Sequence, residues 1–277
     1  MWEPFNRQWG LRDVRTVYPY LRHKDAGAPP VTTLARYLET GRALWSVKES
    51  TGGSLALRRA AKSGQAYLHW LQGRSRIPLI KDPFALLAMG ALQPTLTRRT
   101  IVVSVRHPCS WVLSLRRMGW AARPELNALI RQEELYEEHL SGMLARRDWK
   151  RAGDLEAGAT AWACLYHMVG VQRRAGTDAR VVPLEAFGRD PVGTLKLLYG
   201  AVQLTPPTDL ELIAERYSRD STVTPDSGTK HLLQRDSRAL SEAWKSKLTA
   251  EEVRLIRTIT EPVYSTIYSD WETAESA

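Results

Sequence analysis

Three short apolar runs, each closing on charged or hydrogen-bonding side chains, constrain the fold of this chain more than any other feature. Thr100-Ile101-Val102-Val103-Ser104-Val105 is β-branched through its centre and stops at Arg106-His107-Pro108. Arg180-Val181-Val182-Pro183-Leu184 stops at Glu185, and Ile77-Pro78-Leu79-Ile80 stops at Lys81-Asp82-Pro83. Runs this short, nearly continuous in apolar character rather than alternating, suit strands buried on both faces. Helical sequence separates each from the next, which makes the strands parallel, and ligands of such sheets gather beyond the carboxyl ends of the strands. The expectation is a three-layer α/β domain, a short parallel sheet flanked by helices. Lys81, Asp82, Arg106, His107 and Glu185 then share one end of it.

Apolar residues at helical spacing cover Val31–Val47, where Leu34, Tyr37, Leu38, Leu44 and Trp45 can share a face, and a second helix is expected at Ser54–Leu71. Further helices are expected at Phe84–Leu92, Cys109–Met118, Leu126–Trp149, Leu155–Arg174, Pro191–Val202 and Thr249–Tyr268. In the last, Thr249 stands as an N-cap before the acidic first-turn residues Glu251 and Glu252. No internal repeat or low-complexity block interrupts the chain, so its 277 residues are read as one domain, 1–277.

Charge narrows the partners. Lys and Arg total 39 against 30 Asp and Glu, a net charge of +9, and 30 of the cations are Arg. A guanidinium offers a planar fork of donors that fits phosphate or carboxylate. The Arg pairs (Arg58-Arg59, Arg98-Arg99, Arg116-Arg117, Arg146-Arg147, Arg173-Arg174) are dispersed beside helical apolar patterns, which reads as solvated helix faces. No helix-turn-helix, zinc finger or aromatic ribonucleoprotein motif accompanies them, so nucleic acid is not the expected partner. Two cysteines, Cys109 and Cys164, give no secreted disulfide framework, and no His/Cys cluster has metal-ligand spacing. The longest stretch without Asp, Glu, Lys or Arg, Ala157–Gln172, is too short and too mixed to span a bilayer. The N-terminus lacks the basic and apolar regions of a signal peptide. A soluble, cytoplasmic protein is expected.

The unit around Arg106 carries the functional signal. Arg106 closes a strand, Pro108 suits the first turn of the next helix, and Ser114 lies almost two turns in. A guanidinium at the strand end and a hydroxyl along the helix can flank one anion. The same spacing also allows Arg106 to pair with Asp82 or Glu185 while Ser114 faces solvent.

An apolar strand, then Arg, a variable residue, Pro, and a Ser eight positions after the Arg resembles the 3′-phosphate-binding segment of sulfotransferases, which use 3′-phosphoadenosine 5′-phosphosulfate as donor. Other segments resemble the family in the same order. Ile77–Phe84 (IPLIKDPF) is similar to its strand ending in a Lys-containing motif, and Arg180–Pro191 (RVVPLEAFGRDP) to its later strand and DP helix start. Trp244–Ile256 (WKSKLTAEEVRLI) is similar to its closing Trp and helix, and Glu3–Asn6 (EPFN) to a segment of bacterial and carbohydrate-type members. The resemblance implies a P-loop-NTPase-like sulfotransferase fold. It implies sulfuryl transfer to a hydroxyl or amine of a metabolite, carbohydrate or lipid.

In the family a strand and a PRSGTT-like loop precede the EPFN segment and hold the 5′-phosphosulfate. No such loop precedes Glu3 here, so the expectation is a chain missing that N-terminal strand and loop. The Gly/Ser/Thr tract Ser50–Ser54 follows helical rather than strand sequence and makes a poor substitute. The resemblance implies Lys81 as the electrostatic contributor to transfer and Glu3 as the base. Small-molecule cytosolic members carry a His two residues after the Lys, where this chain has Pro83. It implies Arg106, Ser114 and, in a later cationic loop, Lys230 as contacts to the donor nucleotide, with no metal. His107 falls at a position the family leaves variable. Two other readings stay open: a non-catalytic nucleotide- or partner-binding remnant of this fold, and a basic nucleic-acid-binding protein.

Overall fold

A computed structural model describes residue 5 and residues 13–40, 80–96, 100–218 and 237–275. The chain divides into two compact units, one drawn from 1–99, 128–142 and 171–178, the other from 100–127, 143–170 and 179–277.

In the first unit, helix α1 (Pro29–Thr40) and helix α2 (Met89–Thr95) accompany 3-10 turns at His23–Gly27 and Pro83–Ala88. Phe5, Val14, Val31, Leu34, Ala88, Ala91 and Leu92 form its core, with Leu21, Ile80 and Phe84 packed at the margin. Asp82 organises the entry to the second 3-10 turn: one carboxylate oxygen accepts the Phe84 N–H at 2.9 Å and the other accepts the Phe5 N–H. With Pro83 at the first position, that cap favours a tight turn, so the helix expected from Phe84 begins as 3-10 and becomes α only at Met89.

The single helix expected over Leu126–Trp149 is broken. A helix over Arg123–Ile130 is followed by one short turn at Glu133–Leu135 and a π-turn at Tyr136–Leu140. The break falls at Gln132, whose backbone leaves helical geometry (φ −90°, ψ 87°). Its side-chain amide donates to the Tyr18 carbonyl at 3.1 Å and accepts the Tyr20 N–H at 2.8 Å. Those long-range bonds outcompete a propensity that alone would continue the helix.

The second unit holds the sheet. Strand β1 (Ile101–Val105) is followed by helices α3 (Pro108–Arg117), α4 (Arg123–Ile130) and α5 (Asp154–Arg174), whose last turn enters the first unit. Strand β2 (Ala179–Pro183) leads into α6 (Leu184–Arg189), α7 (Pro191–Ala201), α8 (Leu210–Ser218), α9 (Ser237–Glu242), α10 (Trp244–Lys247) and α11 (Ala250–Glu275). β1 and β2 pair in parallel, Ile101 opposite Ala179 and Val105 opposite Pro183, as the runs predict. Among the described residues the sheet has these two strands, and the architecture is mixed α/β with helix predominating. Of the third expected strand, residues 77–79 lie outside the described residues, and Ile80 is in no strand.

Local chemistry explains the helix starts. Pro191 follows Asp190, which caps α7 through the Gly193 N–H at 2.9 Å. Thr249 caps α11 by accepting the Glu252 N–H at 3.2 Å, and Glu252 reaches back to the Thr249 N–H at 2.9 Å, a reciprocal capping box. The charge-free run inside α5 is buried almost all round: Ala157, Ala159, Ala161, Trp162, Ala163, Cys164, Met168 and Val169. Small residues let α3 approach closely; a β-carbon at Gly158 would stand 3.2 Å from Val112 Cγ2. Cys109, Val112, Leu113, Ala159, Leu248 and Ile256 make the core beneath α11. Among the described residues no helix is long and apolar enough to cross a membrane.

Candidate functional site

The candidate site is the corner where β1 becomes α3. Two bonds from α5 fix its backbone. Trp162 is fully buried and its indole N–H donates to the Arg106 carbonyl at 2.8 Å; the Tyr166 hydroxyl donates to the Ser104 carbonyl at 3.1 Å. Carbonyls two residues apart on a strand lie on one edge, about 6.6 Å apart, and side chains four apart on a helix are separated by about 6.0 Å. The pitch of α5 therefore matches the repeat of β1, and residue 106 is held at a defined place.

β2 contributes the next tie. Glu185 lies two residues past its end, and its carboxylate accepts the His107 backbone N–H at 2.9 Å and the Tyr268 hydroxyl of α11 at 3.0 Å. Burial and that carboxylate push the Tyr268 phenol far above its ordinary range, so it stays a donor. His107 caps α3: its Nδ1 accepts the Cys109 N–H at 3.2 Å. Its ring stacks on Trp244, centroids 4.6 Å apart and planes 6° from parallel, and meets Tyr264 edge-on at 5.4 Å. Tyr264 in turn stacks on Tyr268 at 4.3 Å. Desolvation first, then the charges of Arg257 and Lys245, lower the His107 pKa from 6.5 to about 4. The ring is neutral at physiological pH with its proton on Nε2, because Nδ1 is an acceptor. A nitrogen so protonated cannot take a proton from a substrate.

Beside this network, His107, Pro108, Arg257, Thr260, Glu261 and Tyr264 line an open cleft of about 210 Å³.

No protein-family model, curated protein or solved structure matches the chain.

Arg106 and Ser114 both belong to the second unit and both are half-buried. Ser114 is six residues past Pro108, about 9 Å along the α3 axis. Among the described residues no hydrogen bond reaches its hydroxyl. Lys81 is exposed and belongs to the first unit, next to the capping residue Asp82. Glu3 and Lys230 lie outside the described residues, as does the Ser50–Ser54 tract. Arg116 stands on an exposed helix face and pairs with Glu252 at 2.6 Å.

Sequence reasoning missed His107 as the hub of the corner, together with Arg257, Glu261, Tyr264 and Tyr268. A signal was present. Positions 257, 261, 264 and 268 repeat at four, three and four residues, which places Arg, Glu and two Tyr on one stripe of α11.

Proposed function

We propose that the chain is a sulfotransferase-type enzyme. It binds 3′-phosphoadenosine 5′-phosphosulfate at the β1–α3 corner and passes the sulfuryl group to a hydroxyl or amine of a metabolite, carbohydrate or lipid. The observation that carries the reading is the fixed position of Arg106, held at the carboxyl end of a parallel strand by Trp162 and followed by a capped helix that bears Ser114. A guanidinium fork and a hydroxyl donor on the ribose 3′-phosphate would supply charge and short hydrogen bonds. In the transfer the sulfur–oxygen bond to the phosphate breaks as the bond to the acceptor oxygen or nitrogen forms. On the resemblance alone, Lys81 is the residue proposed to offset charge on the transferring group, Glu3 to take the acceptor proton, and Lys230 to cover the nucleotide. His107 is excluded as the base by its protonated Nε2 and serves to hold the corner.

The test is transfer of radiolabelled sulfuryl group from the phosphosulfate donor to a panel of sugars, phenols, sterols and amines. Transfer by the wild type, lost in Arg106→Gln, supports the reading. Tight binding of the bisphosphate product with no transfer to any acceptor class would favour a nucleotide-binding protein without activity. Absence of both transfer and binding would overturn it.

A further inference from the structure

The cleft between the start of α3 and the middle of α11 has chemistry that the Arg106–Ser114 pair does not use. Among the described residues no acceptor meets the His107 Nε2–H and no carboxylate pairs with Arg257, not even Glu261 one turn further along α11. Thr260 adds no donor, since its hydroxyl is committed to the Ile256 carbonyl at 2.9 Å. Glu261, whose carboxylate also has no partner among the described residues, lines the same cleft. Tyr264 forms an aromatic wall, braced from behind by Tyr268. The residues lining the cleft thus carry two donors, one of them cationic, a separate anionic acceptor, and a flat apolar ring.

We propose that this cleft binds a small organic acid, its carboxylate facing Arg257 and the His107 Nε2–H, and a hydroxyl or amine at its far end facing Glu261. A guanidinium beside a neutral imidazole donor fits a carboxylate. Glu261 repels a ligand that is anionic throughout, so inorganic phosphate fits worse than a molecule with an acid at one end and a donor at the other. The site does not depend on the sulfuryl-transfer reading, because neither Arg106 nor Ser114 is among the residues that line it.

The experiment uses the ¹⁵N-labelled full chain and follows the His107 ring nitrogens by NMR during titration with 4-hydroxybenzoate, benzoate and inorganic phosphate. The expected result is saturable binding of 4-hydroxybenzoate, weakened about tenfold in Arg257→Gln. Glu261→Gln should bring benzoate, which lacks the hydroxyl, close to 4-hydroxybenzoate. Bound carboxylate offsets the Arg257 charge, so the His107 pKa should rise from about 4 on binding. Lys245, whose charge also acts on that ring, Tyr264, which meets it edge-on, and the nearby Cys109, Glu185, Tyr268 and Glu261 are present in both states. Arg106→Gln should leave 4-hydroxybenzoate affinity within about twofold while removing bisphosphate binding, so the two proposals fail separately. The inference is overturned by no saturable shift up to about 10 mM, by equal affinity in Arg257→Gln, or by phosphate binding as tightly as 4-hydroxybenzoate.

Discussion

The Trp162 indole donates to the backbone carbonyl of Arg106 at 2.8 Å, and this bond ties the proposed anion-binding residue to the most buried helix of its unit. One helical turn along, Tyr166 makes the matching bond to Ser104. Removing the first donor tests whether the corner depends on it. In Trp162→Phe the part-buried Arg106 carbonyl loses its partner, at a cost of about 1 kcal/mol beyond the lost ring volume. Urea unfolding should register that loss. Bisphosphate affinity should fall as well, although the guanidinium is untouched.

The aromatic network predicts a pH dependence with a definite sign. The His107 pKa is about 4 in the folded chain against 6.5 for the ordinary side chain, so between those values the unfolded state binds more protons. Stability contributed by neutral His107 is complete above about pH 6.5, falls as pH drops, and is gone below about pH 4. The loss across the window is about 2–3 kcal/mol after allowing for partial exposure of the ring. His107→Asn keeps an oxygen to cap the Cys109 N–H but cannot titrate. Its denaturation midpoint should therefore vary less steeply between pH 4 and 6.5 than that of the wild type; parallel curves would contradict the assignment.

Both thiols should be inert in the folded protein. Cys109 and Cys164 are buried and free, and desolvation pushes their pKa values up to about 11 and about 12. The thiolate is the reactive form, so Ellman's reagent should find no reactive thiol in the native state and both after denaturation. Rapid labelling of native protein would show that α3 or α5 opens more easily than its packing implies.

Close approach of α3 and α5 predicts a steric effect at Gly158. A single added carbon already meets Val112 Cγ2 at 3.2 Å, and a branched side chain would force the helices apart. Gly158→Val should destabilise the unit by about 2–3 kcal/mol through overpacking. Pairing it with Val112→Ala should recover part of that loss.

What could be read in the sequence was local. The β-branched centre of Ile101–Val105, the apolar Val181 and Val182, the prolines Pro108 and Pro191 at helix starts and the N-cap Thr249 act within a few positions of where they stand, and each sits where expected. What could not be read depends on contacts far apart in the chain. The helix break at Gln132 is made by the backbone of Tyr18 and Tyr20, 114 and 112 residues away. His107 becomes a hub only because Trp244, Tyr264 and Glu185 come to it from later elements. The expected meeting of charges at the strand ends takes a form that charge pairing alone does not suggest. Glu185 does reach the end of β1, but its carboxylate accepts a backbone N–H and a phenol.

The central claim is that Arg106 grips the 3′-phosphate of a nucleotide, and calorimetry tests it with two ligands and two proteins. Adenosine 3′,5′-bisphosphate and adenosine 5′-monophosphate differ only in that phosphate. Wild type should bind the bisphosphate more tightly by about 2 kcal/mol, roughly 30-fold, and Arg106→Gln should lose that preference while binding the monophosphate as the wild type does. Equal preference in the two proteins would contradict the account.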